Sequence, residues 1–121
     1  MHLPPEEFEA LVEEAVDGLP EEFAEKVEEV EFLVEDVPRA EEYGQRPPGT
    51  LLLGVYRGVP LTKRTPWAPY QYPDRIVIFQ RSIEQICRTR EEIVYQVRRT
   101  ALHEIAHHFG ISDARLRELG Y

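Results

Sequence analysis

The chain has 121 residues, one cysteine and a formal net charge of −9 at neutral pH. A single cysteine excludes an intramolecular disulfide framework, and the acidic balance disfavours nucleic-acid binding, which needs a basic face to neutralise phosphates. No apolar stretch approaches the ~18 residues of a membrane-spanning helix. Together with a length typical of one domain, these features predict a single cytoplasmic domain over residues 1–121 that binds neither nucleic acid nor membrane.

The negative charge is concentrated in the first third of the chain. Residues 1–42 carry sixteen acidic and two basic side chains, a net charge of −14, whereas residues 43–121 carry seven acidic and twelve basic, a net charge of +5. The simplest interpretation is that the two parts fold against each other and partly neutralise their charges. The alternative is an acidic surface that attracts a cationic partner or substrate.

Apolar periodicity predicts an amphipathic helix near the start of the chain. Six apolar residues recur at helical spacing, and most of the glutamates between them lie on the solvent-facing side of the helix. They are Phe8, Leu11, Val12, Ala15, Val16 and Leu19. Gly18 and Pro20 end this helix, because glycine suits a helix end and proline cannot continue one. Pro20 and the two glutamates after it also fit a short further helical turn.

Three segments in the middle of the chain are typical of β-strands, because they are rich in β-branched residues or alternate in polarity. They are residues 30–35, 51–56 and 75–81. The unbroken apolar run at residues 76–79 fits a strand that is covered on both faces. Proline and glycine predict a loop over residues 39–50 and an irregular connection over residues 62–74.

The last forty residues are predicted to be helical. Thr89 and Glu92 form a capping-box pattern that begins a long helix over residues 90–109, after a short turn over residues 82–87. Its inner stripe consists of Ile93, Val97, Ala101 and Ile105. Gly110 stands where a helix end favours a left-handed residue, and Ser112 can cap a short final helix.

Three of the four histidines lie close together in the long predicted helix. His103, Glu104 and His107 form the pattern H-E-x-x-H. The two histidines lie about 40° apart on one helix face, one turn apart along the axis, so both imidazoles can reach one Zn²⁺ ion. Glu104 lies off this line, yet near enough to hold a water activated by the metal, which is what a general base needs.

The residues after this motif offer a third metal ligand. The full pattern from His103 to Asp113 is H-E-x-x-H-x-x-G-x-x-D. Gly110 lets the chain turn back, and Asp113 can then offer a carboxylate to the same metal. Two histidines and a carboxylate leave one tetrahedral position for water, which indicates a catalytic rather than a structural zinc. The alternative for Asp113 is an acidic residue favoured by the dipole of the final helix.

The segment HEIAHHFGISD, with a long helix before it and a short one after it, resembles the zincin metallopeptidases. Its spacing is that of the metzincins, but the methionine-containing turn of that group is missing, because Met1 is the only methionine. Gluzincins take their third ligand from a glutamate on a downstream helix, and only Glu118 remains for that role. Most of the chain is similar to the small bacterial zincin-like metallopeptidases, or minimal zincins.

This resemblance implies an α+β fold, in which a small mixed β-sheet packs against the long active-site helix, and a zinc peptidase function. A metal-activated water would attack the peptide bond, while Glu104 takes its proton and passes it to the leaving amine. The peptide or protein substrate could add as a strand to the sheet, with residues 76–79 as the first candidate edge. Four side chains could stabilise the oxyanion: Tyr70, Tyr72, Arg115 and Tyr121.

Two other functions stay open. A zinc-binding domain without catalysis could act through a protein partner, because 121 residues are few for a peptidase and we expect no second subdomain to form the other wall of a cleft. A zinc hydrolase of non-peptide substrates is the third candidate. Glu104 favours catalysis, since a purely structural zinc site has no use for a general base. His108 is expected to support the site or lie at the surface rather than bind metal, and Cys87 to be buried.

Overall fold

A computed structural model describes residues 1–28, 30–58 and 74–121, and these form an α+β structure. The helices are α1 (Pro5–Asp17), α2 (Glu21–Ala24), α3 (Ala40–Tyr43), α4 (Gln80–Ile86), α5 (Arg90–Phe109) and α6 (Asp113–Glu118), with a 3₁₀ turn at Glu25–Val27. The strands are β1 (Val30–Glu35), β2 (Gly54–Arg57) and β3 (Asp74–Phe79). The predicted irregular connection over residues 62–74 lies outside the described residues, apart from Asp74. No described helix is long and apolar enough to cross a membrane.

The three strands form one mixed sheet in the order β1–β3–β2. β1 runs parallel to β3, with Val30 opposite Asp74, and β2 runs antiparallel to β3, with Gly54 opposite Ile78. β3 is therefore the central strand, which explains its unbroken apolar run. The prediction that residues 76–79 could form an open substrate edge is wrong, because both sides of this segment are paired. Among the described residues, the free edges belong to β1 and β2.

The main core lies between one face of the sheet and the helices α1 and α5. The predicted stripe of α1 is confirmed, because its inward positions from Phe8 to Ala15 are buried. The predicted inner stripe of α5 is fully buried as well, and Ile76 and Ile78 of β3 belong to the same cluster. Cys87 is buried there as expected, and this burial raises the pKa of its thiol.

Several element boundaries differ from the sequence prediction, among them the start of β2 at Gly54 rather than at residue 51. β3 ends at Phe79, and Gln80 already begins α4, where its side chain donates a hydrogen bond to the backbone carbonyl of Leu3 at 2.9 Å. The predicted loop over residues 39–50 contains the short helix α3. The carboxylate of Glu42 accepts a hydrogen bond from the N–H of Arg39 at 2.9 Å, which satisfies a donor at the start of this helix.

Ion pairs join the acidic first third of the chain to the basic remainder, which confirms the simpler interpretation of the uneven charge. On the sheet face opposite α5, Arg57 holds Glu35 at 2.7 Å and Glu42 at 2.6 Å, and its hydrogen bonds lower the pKa values of both carboxyl groups. Further pairs of this kind are Arg75–Glu31, Arg81–Asp36, Arg90–Glu7 and Arg115–Glu22.

A glycine sets how closely β2 approaches α5. A Cβ atom on Gly54 would lie 2.7 Å from Cγ2 of Thr100 and 2.9 Å from the carbonyl oxygen of Val77, both closer than real Cβ contacts. Only glycine fits here without displacing the helix or the central strand. The close approach matters for function, because Thr100 and Glu104 lie one turn apart on the same side of α5.

Candidate metal centre

The candidate site stands on the last two turns of α5, whose ends follow the sequence prediction. Thr89 accepts a hydrogen bond from the N–H of Glu92 at 3.1 Å and caps the beginning of the helix. Gly110 ends it with a left-handed φ of 71°, and the N–H of Ile111 donates to the carbonyl of Ala106 at 2.8 Å. These local contacts fix the H-E-x-x-H motif in helical geometry up to the turn that follows it.

His103 and His107 present their rings on neighbouring turns. The ring centroids are 6.5 Å apart and the ring planes meet at 72°. His107 is exposed, whereas Nε2 of His103 is buried and has no hydrogen-bond partner among the described residues. A buried polar atom without a partner is costly, and a metal ion bound to this nitrogen would satisfy it. The two side chains therefore fit a metal site.

Glu104 lies between the helix and the edge of the sheet. Burial raises the pKa of its carboxyl group, against the effects of His107, of a hydrogen bond from the backbone N–H of Tyr56, and of Arg46. The carbonyl of Leu53 accepts a hydrogen bond from the N–H of Phe79 at 2.9 Å. In an antiparallel pair, the backbone groups of successive residues point alternately towards and away from the partner strand. Leu53 and Val55 therefore face β3, and the N–H of Tyr56 points away from it. The carboxylate is thus held at the edge of β2 that faces away from β3.

His108 contacts the sheet. Its ring stacks on Tyr56 with the centroids 4.1 Å apart and 15° between the planes. Its Nε2 lies 4.0 Å from a carboxylate oxygen of Asp74 at the start of β3. One residue of β2, Tyr56, therefore contacts the motif twice: its ring packs on His108 and its backbone N–H binds Glu104.

Asp113 lies beyond the end of α5, outside the helix that carries the histidine pair. It is the exposed first residue of α6, where Ser112 accepts a hydrogen bond from the N–H of Arg115 at 3.2 Å and caps the helix as predicted. Within residues 1–28, 30–58 and 74–121, no three histidine, cysteine, aspartate or glutamate side chains are grouped so that they could hold a metal ion. His103 and His107 lie on neighbouring turns of α5 with Glu104 next to His103 in the chain, and Asp113 follows three positions beyond Gly110.

The proposed oxyanion donors have other partners or lie outside the described residues. Arg115 binds Glu22 and donates to Glu118 at 2.9 Å, and Tyr121 stacks on Tyr95 at 5.9 Å between ring centroids. Tyr70 and Tyr72 lie in the part of the chain that is not described. The sequence did not identify Tyr56 as a residue of the site, because its only visible feature there is its place at the end of the strand predicted over residues 51–56. Its contact with Glu104 depends on the order of the strands, which no local spacing encodes.

A helix carrying H-E-x-x-H against a small mixed sheet defines the zincin class, and comparison with known proteins agrees. Residues 27–121 match the family described as zincin-like metallopeptidase. The chain belongs to this family, which confirms the resemblance drawn from the sequence. A conserved hypothetical protein from Thermus thermophilus has a similar fold, with a TM-score of 0.59 and 24% identity, covering 88% of this chain and 94% of that one. No curated protein matches the chain significantly.

Proposed function

We propose that this protein is a zinc-dependent metallopeptidase whose catalytic groups stand on the last two turns of α5. The observation that carries the proposal is the buried, unpartnered Nε2 of His103 one helical turn from His107, with the carboxylate of Glu104 beside them. Membership of the zincin-like metallopeptidase family supports the same function.

His103 and His107 would hold the zinc ion, and Asp113 is the proposed third ligand. Asp113 is separated from α5 only by residues 110–112, so the chain keeps its carboxylate within a short reach of the helix end. When bound, zinc supplies Lewis-acid chemistry, since it polarises a carbonyl oxygen and makes water more acidic.

Glu104 is the proposed general base. Its carboxylate accepts a proton from the attacking water and then donates that proton to the leaving nitrogen of the cleaved peptide bond. The N–H of Tyr56 holds this carboxylate at the edge of β2, and partial burial favours its protonated form more than full exposure would. Both effects suit a group that must take up a proton and give it back.

The proposed substrate is a peptide or protein segment in an extended conformation. Such a segment can add to an exposed sheet edge through main-chain hydrogen bonds. Of the described strands, β2 is the one whose outer edge adjoins Glu104, because β3 is central and β1 lies on the far side of the sheet. We therefore assign the substrate to the β2 edge.

The test combines metal analysis with peptide digestion. Wild-type protein should bind about one zinc ion per chain and cleave members of a broad peptide library, read by mass spectrometry. The variant His103→Ala/His107→Ala should lose both properties. Glu104→Gln is the matched control, which should keep zinc and folding but lose a factor of ~10²–10⁴ or more in rate, because an amide cannot accept the proton.

Two results would refute this assignment. Stoichiometric zinc in the double histidine variant would show that the ligands lie elsewhere, and loss of zinc in Glu104→Gln would make Glu104 a ligand. If wild-type protein binds zinc but cleaves no peptide, the alternative of a non-catalytic zinc-binding domain that acts through a protein partner replaces the peptidase. Cleavage of other small ester or amide substrates alone would favour the non-peptide hydrolase.

A further inference from the structure

A groove of about 490 Å³ lies between α1 and β1, on the opposite edge of the sheet from β2. We call it the β1 groove. Its apolar lining includes Val12, Val16, Phe32 and Val34, and the carboxylates of Glu9 and Glu13 stand beside them. The histidines and Glu104 are absent from its lining among the described residues, so the peptidase proposal leaves the β1 groove without a role.

The β1 groove opens along a strand edge. β1 pairs with β3 on one side, and no strand within the described part of the chain pairs with its other side. Phe32, Leu33 and Val34 are only partly buried, although they are consecutive large apolar residues. An edge of this kind presents backbone N–H and C=O groups that a further extended segment can pair with.

The charge at the β1 groove favours one kind of partner. Glu7, Glu31 and Glu35 are each paired with an arginine, whereas Glu9 and Glu13 make no ion pair with any described residue. Both are exposed, and they stand four positions apart on α1, where two like charges repel each other. A cationic side chain placed between them would relieve this repulsion. The net charge of −9 that the whole chain keeps adds a long-range attraction for positive charge.

We propose that the β1 groove binds an extended basic segment of a partner protein, which adds to the free edge of β1 as a fourth strand. Side chains alternate along a strand, so every second residue of this segment faces the groove. Apolar residues at those positions pack on Val12 and Phe32, and lysine or arginine at the ends reaches Glu9 and Glu13. The proposal is independent of zinc and of peptide hydrolysis.

The test measures binding of a defined peptide by fluorescence anisotropy. The probe is a short labelled peptide in which threonine alternates with groove-facing residues, with valine in the middle and lysine at both ends. The full chain carries Glu104→Gln and the buffer contains a chelator, so that cleavage cannot interfere and failure of the peptidase proposal cannot affect the result. The lysine peptide should bind, and the same peptide with glutamate in place of lysine should not.

Two double variants locate the binding. Glu9→Gln/Glu13→Gln should weaken binding of the lysine peptide by about fivefold or more, since each ion pair at an exposed site adds modestly to affinity. Glu14→Gln/Glu91→Gln removes the same charge from a second groove, between α1 and α5. This control should change the affinity by less than about twofold, because its charges lie farther from the peptide and are screened by salt.

Backbone methylation tests the strand addition separately. N-methylation of alternate residues of the lysine peptide removes the donors that would pair with β1, and it should abolish binding when the methylated positions face the strand. Absence of binding by the unmodified peptide would overturn the proposal. So would equal weakening in both double variants, which would indicate attraction by net charge alone, or unchanged binding of both methylated forms.

Discussion

Replacing Gly54 with alanine should destabilise the protein by about 1–2 kcal/mol. The new Cβ would lie 2.7 Å from Cγ2 of Thr100 and 2.9 Å from the carbonyl oxygen of Val77. Overpacking of this kind typically costs ~1–3 kcal/mol, and the lower entropy of the unfolded alanine chain offsets ~0.4–1 kcal/mol of it. The contact with Val77 is the harder one to relieve, because it belongs to the backbone of the central strand.

A double-mutant cycle separates the two contacts. Thr100→Ser removes Cγ2 and nothing else, so Gly54→Ala should cost about 0.5–1 kcal/mol less in the Thr100→Ser background than in the wild type. Urea unfolding followed by circular dichroism gives the four free energies of unfolding. A Gly54→Ala variant as stable as the wild type would show that the new Cβ atom causes no overpacking. An equal cost of Gly54→Ala in both backgrounds would show that Cγ2 of Thr100 does not contribute to the overpacking, and that β2 packs loosely on α5.

Two further predictions concern metal binding and acid stability. Asp113→Asn should weaken zinc binding far more than the ~0.3–1 kcal/mol of a helix-dipole effect, whereas Glu118→Gln should leave it nearly unchanged; zinc titration of both variants decides between them. Burial raises the pKa of Glu84, but hydrogen bonds from the N–H of Leu3 at 2.8 Å and from Gln80 outweigh it, and the net pKa lies below its usual value. Ionised Glu84 should therefore stabilise the folded protein by ~1–3 kcal/mol. This stabilisation should be complete above pH ~4.3, the pKa of an unperturbed glutamate, and should disappear as the pH falls through the lowered pKa. Urea unfolding curves of Glu84→Gln and wild type should accordingly differ at neutral pH and converge in acid.

Features that depend only on neighbouring residues could be predicted from the amino-acid sequence. The bounds of α5 agree with the prediction because the cap at Thr89, the apolar period of the helix and the left-handed Gly110 all act within a few residues. β1 agrees as well, since the alternation over residues 30–35 is a local property. The relative position of His103 and His107 could also be predicted from the H-E-x-x-H motif, because helical geometry alone sets their spacing.

Which segments lie side by side depends on contacts between residues that are distant in the chain. The apolar run of β3 fits either an edge or a central strand, and its place between β1 and β2 depends on hydrogen bonds to residues far away in the chain. The same pairing brings Tyr56 to Glu104, requires a glycine at position 54, and leaves the β1 groove open on the far edge. These contacts follow from packing between distant segments, and such packing leaves no periodic signal in the sequence.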